Sequence, residues 1–91
     1  MDFPFEEEKI DEYNFIRTFP ADVDEMDLIW HADKENRIIT VLEGNGWKFQ
    51  FDEELPIEMT NGLSISIFKG RIHRVIKGEG PLKIKLQKNA L

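Results

Sequence analysis

The feature that most constrains the fold of this chain is an alternation of apolar and polar residues that recurs in three separate stretches. A period of two places successive side chains on opposite faces of a β-strand, so that one face packs in a core and the other meets water. We therefore predict half-buried antiparallel strands at these stretches, which are WKFQFD from Trp47, LSISI from Leu63 and LKIKLQK from Leu82.

Turn-forming residues separate the strands at intervals of about ten residues, a spacing typical of all-β sandwiches and barrels. They fall at FPAD, ADKEN, EGNGW, LPIEMTNG, FKGR and KGEGP. The glycines of the GNG segment, Gly44–Gly46, favour a tight hairpin that joins RIITVLE to WKFQF. The DVDEMDLI segment could form one helical turn, but we expect it to lead into a strand at DLIWHA.

The length of 91 residues indicates one small domain with a thin core. We expect residues 13–91 to form a single barrel domain, and the acidic residues 1–12 to form a tail or an added edge strand. A thin core and exposed strand edges both favour association. The expected state is therefore a homodimer, in which the N-terminal segment extends the sheet of a neighbour.

Composition excludes several classes of function. The chain has no cysteine, which removes disulfides, thiolate metal sites and cysteine nucleophiles. Its net charge of −6 argues against nucleic acid as a partner, because phosphates need a basic surface. The N-terminal sequence does not resemble a signal peptide, and no apolar stretch approaches the roughly 20 residues that span a bilayer. We expect a cytoplasmic protein that binds neither membranes nor nucleic acid.

The two histidines and one aspartate form the candidate site. His31 and Asp33 are two positions apart, so both side chains point to the same face of an extended segment. His73, which follows the turn-forming Gly70, is the other histidine that could complete a set of three ligands. Two imidazoles and one carboxylate on one side of a divalent ion leave its other positions open, as in non-haem Fe(II) sites. The alternative is that His31 and Asp33 lie in solvent at a strand end and hold no metal.

Two segments resemble the two characteristic motifs of the cupin family. In the first cupin motif, His-x-His and a later Glu precede a hydrophobic strand and a turn, and this motif resembles the segment WHADKENRIITVLEGNGW. The matching strand and turn residues are Val41, Leu42 and Gly44. NGLSISIFKGRIHRVI resembles the second, a Gly and a hydrophobic strand before Pro-x-Gly-x-x-His; the matching residues are Gly62, Gly70 and His73, and Phe68 stands where proline is usual. The resemblance covers roughly residues 25–87. It implies an all-β fold, the double-stranded β-helix or jelly-roll barrel of cupins, with about eight short antiparallel strands.

The same comparison assigns the ligand positions of cupins. The first histidine of the family falls on His31, the second on Asp33, the glutamate on Arg37 and the last histidine on His73. The resemblance thus implies His31, Asp33 and His73 as metal ligands, and it places a permanent cation where a carboxylate is usual. Fe(II) is the favoured metal, with Zn, Ni or Mn as alternatives.

Arg37 has two interpretations. In the first, an anionic ligand lies between the metal and Arg37, and Arg37 binds the ligand. The H-x-D pair with a distant histidine is similar to the metal-binding triad of oxygenases of the double-stranded β-helix class. Those enzymes use an arginine to bind the carboxylate of their co-substrate. In the second, Arg37 pairs with Asp33, no metal binds, and the pocket recognises a small anion or a sugar. Glu35, in the DKEN turn, is expected to be solvated and to replace no ligand.

Three functions remain open on the sequence. The leading one is a metal-binding cupin with oxygenase-like or Lewis-acid chemistry on a small anionic metabolite. The second is a metal-free ligand-binding or regulatory module that uses the same pocket. The third is a structural protein in which the histidines are incidental. The sequence identifies no catalytic residue, and the fold does not select among the functions that cupins carry.

Overall fold

The computed structural model of the chain describes residues 3–90, which form eight β-strands and one short 3₁₀ helix. The strands are β1 (Glu6–Lys9), β2 (Asn14–Phe19), β3 (Arg37–Asn45), β4 (Lys48–Phe51), β5 (Ile57–Glu58), β6 (Ser64–Ile67), β7 (His73–Ile76) and β8 (Glu79–Lys88). The 3₁₀ helix, Glu25–Asp27, lies between β2 and β3. All strand pairings are antiparallel. The prediction of an all-β fold with about eight short antiparallel strands is confirmed.

The strands form two sheets that enclose the core. One has the order β1-β2-β8-β3-β6 and the other the order β5-β4-β7. β8 lies in the middle of the larger sheet, where its Ile84 is opposite Arg17 of β2 on one side and Val41 of β3 on the other. Cross-strand partners share a face of a sheet, so this register also determines which charged side chains point inward with the core residues.

Apolar side chains at alternate strand positions build the core, as the sequence pattern predicts. In β8 the buried residues Leu82, Ile84 and Leu86 alternate with exposed polar ones. In β6 the two isoleucines are buried and the two serines are exposed. The largest fully buried side chains are Trp47, Phe49, Leu82, Leu86 and Val41.

The GNG turn connects the two sheets and does not form the predicted hairpin. β3 pairs with β6 and β8, whereas β4 pairs with β5 and β7. Gly46 takes a left-handed conformation with φ 73°. Gly78 packs so closely on this turn that a Cβ atom there would lie 2.3 Å from both the Asn45 carbonyl oxygen and the Trp47 amide nitrogen. The hairpin prediction is wrong because turn glycines indicate where a chain reverses but not which strand it then pairs with.

The segment before β3 is not the strand expected at DLIWHA. Asp24 caps the 3₁₀ helix by accepting a hydrogen bond from the Met26 N–H at 2.9 Å. The chain then runs irregularly, with Ile29 exposed, and in this segment only His31 makes a β-bridge. The three consecutive apolar residues of LIW lack the alternation of a half-buried strand, which explains why the segment does not form one.

Strand β1 is an edge strand, paired on one side with β2, and it falls within the acidic segment 1–12. Met1 and Asp2 of that segment, and Leu91 at the other end of the chain, lie outside the described residues. Across residues 3–90, no helix has the length and apolar character needed to cross a membrane.

Candidate metal centre

A single β-bridge brings the two histidines together. The His31 amide donates to the His73 carbonyl oxygen at 3.0 Å, and the His73 amide donates to the His31 carbonyl oxygen at 2.9 Å. Residues that exchange both hydrogen bonds are directly opposite one another, so their side chains lie on the same face. The two imidazole rings accordingly lie with their centroids 4.3 Å apart.

Asp33 joins the histidines because it is two residues after His31 on the same face. Its carbonyl oxygen accepts a hydrogen bond from the Gly70 amide at 2.9 Å, which holds this segment against the turn before β7. Asp33 Oδ1 lies 3.9 Å from His31 Nε2, and Asp33 Oδ2 lies 3.4 Å from His73 Nε2. Potential ligand atoms of the three residues all lie within 4.8 Å of one another. The structure thus brings together the three residues that the sequence selected.

Backbone contacts set the orientation of both imidazole rings. His73 Nδ1 lies 2.7 Å from the Arg71 carbonyl oxygen, and His31 Nδ1 lies 3.2 Å from that of Ile29. A carbonyl oxygen only accepts, so each Nδ1 carries a proton and donates it. In a neutral ring this leaves the lone pair on Nε2, the atom that faces Asp33. Such hydrogen bonds are the usual means of orienting histidine ligands of metals.

The two oxygens of the Asp33 carboxylate have different surroundings. The Asp33 side chain is only 6% exposed, and buried Oδ2 has no hydrogen-bond partner among the described residues. With the Nδ1 proton placed as above, Oδ2 and the lone pair of His73 Nε2 face each other at 3.4 Å with no proton between them. Two atoms each roughly 2.1 Å from a metal ion lie roughly 3.0–3.4 Å apart, so this spacing suits a shared cation. These two donor atoms therefore fit a metal, and His31 Nε2 is the third candidate donor beside them, at 3.9 Å from Asp33 Oδ1.

Burial favours the neutral form of His73. Its side chain is 5% exposed, and the ring stacks on Phe49 with centroids 5.4 Å apart and planes at 20°. Desolvation, followed by the neighbouring His31, holds the pKa of His73 below its ordinary value, although the hydrogen bond to the Arg71 carbonyl and the charge of Asp33 oppose the shift. The neutral ring is the form that binds a metal.

Arg37, the first residue of β3, holds the other oxygen of Asp33. Its Nη1 lies 3.2 Å from Asp33 Oδ1, and its Nη2 donates to Glu35 Oε1 at 3.1 Å. Arg37 is 14% exposed and Glu35 25% exposed. The expectation that Glu35 is solvated is therefore wrong, because the turn folds its carboxylate back onto the largely buried guanidinium of Arg37. The pairing of Arg37 with Asp33, the contact required by the second interpretation of Arg37, is present.

The candidate site opens on a cavity of about 590 Å³ between the sheets. Most of its lining is apolar, and its charged or titratable lining residues are Arg17, Asp27, His31, Asp33, Arg37 and His73. Sequence reasoning missed Arg17. The observation that could have found it is its position in NFIRTF, where it is two residues from both Phe15 and Phe19 and therefore shares their inward face of β2.

Comparisons with known proteins bear on the fold. No protein-family model matches the chain, and no curated protein sequence matches it. Among solved structures, a cupin domain from Bordetella pertussis matches with a TM-score of 0.62 and 16% identity over 99% of both chains. A cupin-2 domain containing protein from Shewanella frigidimarina matches with a TM-score of 0.65 and 17% identity, over 94% of this chain and 79% of that one.

The Fe(II) form of the protein HppE matches with a TM-score of 0.63 and 20% identity. That match covers 82% of this chain but only 41% of HppE, so the chain spans less than half of that protein. At such identities the likeness establishes the fold alone. Because the matches to these two cupin-domain structures cover nearly the whole chain, the chain has a fold like that of cupin domains.

Proposed function

We propose that this chain is a metal-binding cupin whose ligands are Nε2 of His31, Nε2 of His73 and a carboxylate oxygen of Asp33. The observation that carries the proposal is the buried Asp33 Oδ2, which has no hydrogen-bond partner among residues 3–90 and faces the Nε2 lone pair of His73 at 3.4 Å. A buried carboxylate oxygen without a partner is costly, and a divalent cation between these atoms would satisfy it.

The donor set indicates a first-row divalent ion. Imidazole and carboxylate ligands suit Fe, Ni, Zn and Mn, and a facial set of two histidines and one carboxylate is typical of non-haem Fe(II). Two structures of similar fold are described with Fe(II) and Co(II), both of HppE. These observations support Fe(II) as the favoured metal. When bound, the ion would supply Lewis-acid or oxygen-dependent redox chemistry toward a small anionic metabolite.

The residues of the chain have distinct roles in this proposal. The Nδ1 hydrogen bonds fix both imidazoles so that Nε2 faces the carboxylate. Arg37 holds Asp33 Oδ1 at 3.2 Å, which leaves Oδ2 turned toward His73. Both Nη atoms of Arg37 already contact carboxylates, so we assign it the role of positioning Asp33. The apolar cavity wall limits the water that reaches the site and orients a ligand beside it.

The second candidate is a metal-free pocket that binds a small anion. The ion pair between Arg37 and Asp33 favours it, because a carboxylate with a guanidinium partner at 3.2 Å has less need of a metal. In this case the cavity and its arginines would recognise the ligand, and the neutral His73 would act as a hydrogen-bond partner.

Metal uptake separates the two candidates. Protein purified without an affinity tag is stripped with EDTA and titrated with Co(II), whose visible absorption reports binding. One equivalent is expected for the wild type, and none for Asp33→Ala or His31→Ala. Asp27→Ala is the matched control, since Asp27 lines the same cavity but is not part of the ligand set. Full uptake by Asp33→Ala, or no uptake by the wild type, contradicts the metal proposal.

A further inference from the structure

Arg17 is a second largely buried cation in the wall of the cavity, on a different strand from Arg37. It lies opposite Ile84 in the register of β2 and β8, so it points inward with the core. Its side chain is 13% exposed and lines the cavity. Burying a charged guanidinium at an inward strand position costs free energy unless an anion is near it. The groups that contact Arg17 therefore indicate what kind of ligand the pocket accepts.

The partner of Arg17 is a carboxylate from the edge strand. Nε and Nη2 of Arg17 both donate to Glu7 Oε1, at 3.0 and 2.7 Å, and the guanidinium carbon lies 3.8 Å from the centroid of the Phe5 ring. These contacts use only part of the donors of a guanidinium. Nη1 donates to no acceptor among residues 3–90, so Arg17 keeps N–H groups for a second anion.

The rest of the cavity is suited to the body of such an anion. Its wall is built mostly of aliphatic and aromatic side chains, among them Phe19, Phe49, Ile39, Ile67 and Leu86. The volume of about 590 Å³ lies within the range of small-molecule sites. A ligand that fills it must be apolar over most of its surface and carry its charge at one end.

The backbones of Arg17 and Arg37 lie at different positions along β8, although the guanidinium of Arg17 is near enough to be affected by the charges of Arg37 and Asp33. Arg17 is opposite Ile84 of β8 and Arg37 is opposite Lys88, four residues farther along the same strand. With a rise of about 3.4 Å per residue and two strand spacings of about 4.8 Å, the two arginine backbones are roughly 17 Å apart. Each arginine has its own carboxylate partner, Glu7 for Arg17 and Asp33 for Arg37, so a carboxylate can bind Arg17 while the contact between Arg37 and Asp33 stays in place.

We propose that the cavity binds an amphipathic monocarboxylate, with its carboxylate on Arg17 and its hydrocarbon body along the apolar wall toward the triad. The carboxylate of Glu7 already contacts this guanidinium, so Arg17 is placed to bind a carboxylate. The inference deepens the proposed function by naming the ligand class of the same cavity. The binding at Arg17 itself needs no metal.

The test uses octanoate as the probe and octan-1-ol as its uncharged counterpart, measured by calorimetry on EDTA-treated protein. We expect octanoate to bind at least about tenfold more tightly than octanol, the effect of one charge-assisted hydrogen bond. Arg17→Met should lower the affinity for octanoate by about tenfold or more and leave the affinity for octanol within about threefold. Lys85→Met, which removes an exposed cation from β8, is the matched control and should change neither affinity.

A second variant keeps the test decisive if Arg17→Met does not fold. Glu7→Gln removes the carboxylate beside the subsite and should tighten octanoate binding by several-fold, a gain that a purely structural Arg17 would not produce. Equal affinity for octanoate and octanol, no saturable octanoate binding, or octanoate binding that ignores both variants overturns the proposal. Co(II) uptake without octanoate binding rejects the ligand class alone. Octanoate binding without Co(II) uptake rejects the metal and retains the subsite at Arg17.

Discussion

Replacing each histidine by alanine should abolish metal binding equally but destabilise the fold unequally. The side chain of His73 is 5% exposed and stacks on Phe49, whereas that of His31 is 47% exposed. His73→Ala leaves a void beside Phe49 and removes the donor to the Arg71 carbonyl, which together cost about 2–4 kcal/mol. His31→Ala removes an exposed ring and costs about 1 kcal/mol or less.

For a domain of this size, 1 kcal/mol corresponds to roughly 4–8 °C in Tm. His73→Ala should therefore lower Tm by roughly 10–25 °C, and His31→Ala by less than about 8 °C. Thermal unfolding is followed by circular dichroism in EDTA, so that no metal contributes to stability. Co(II) titration of the same variants, after the EDTA has been removed, should show no uptake by either one. Equal losses of stability, or stoichiometric Co(II) binding by His31→Ala, would refute the roles assigned to the two rings.

Three further predictions follow from the fold and the buried groups. Because burial lowers the pKa of His73, this histidine takes up a proton in the unfolded chain at a higher pH than in the folded one. The metal-free protein should therefore lose stability below about pH 6.5. Urea unfolding should show a smaller loss for His73→Gln, and an identical pH profile for the two proteins would contradict this reasoning. Gly78→Ala should lower the free energy of unfolding by about 3 kcal/mol or more, since its Cβ would lie 2.3 Å from Asn45 and Trp47 backbone atoms. The control Gly44→Ala places its Cβ 3.0 Å from a leucine methyl and should lower that free energy less in urea unfolding. Equal losses would contradict the close packing at the turn. We also propose that exposed sheet edges pair in a homodimer, so light scattering should give twice the monomer mass at micromolar concentration, and a monomer mass would refute it.

Much of the fold could be predicted because the alternation of apolar and polar residues is regular. In β6 and β8 that alternation identifies the inward residues correctly, and the turns between strands are rich in glycine and proline. The pairing partner of each strand could not be predicted in this way. The GNG sequence is typical of a hairpin, but the chain passes there from one sheet to the other. That path depends on the close packing of Gly78 against the turn beside Trp47, which the local sequence does not reveal.

The residues of the candidate site could likewise be predicted from the sequence, but the contacts of its charged side chains could not. The spacing of His31 and Asp33 put them on one face, and the resemblance to cupins placed His73 beside them. The contacts of the charged residues were harder to predict, because they depend on burial. Glu35 belongs to a turn that looks solvent-exposed, yet it pairs with Arg37, and Arg17 lines the cavity only because of its register with β8.

The most direct test of the central claim is the long-range ¹H–¹⁵N spectrum of the two imidazoles as Zn(II) is added to metal-free protein. Nδ1 should carry the proton in both rings before addition, as the contacts with the Arg71 and Ile29 carbonyls require. At one equivalent, the Nε2 resonances of His31 and His73 should shift together while both Nδ1 protons remain. Unchanged Nε2 resonances, or a shift in only one ring, would contradict a shared metal centre.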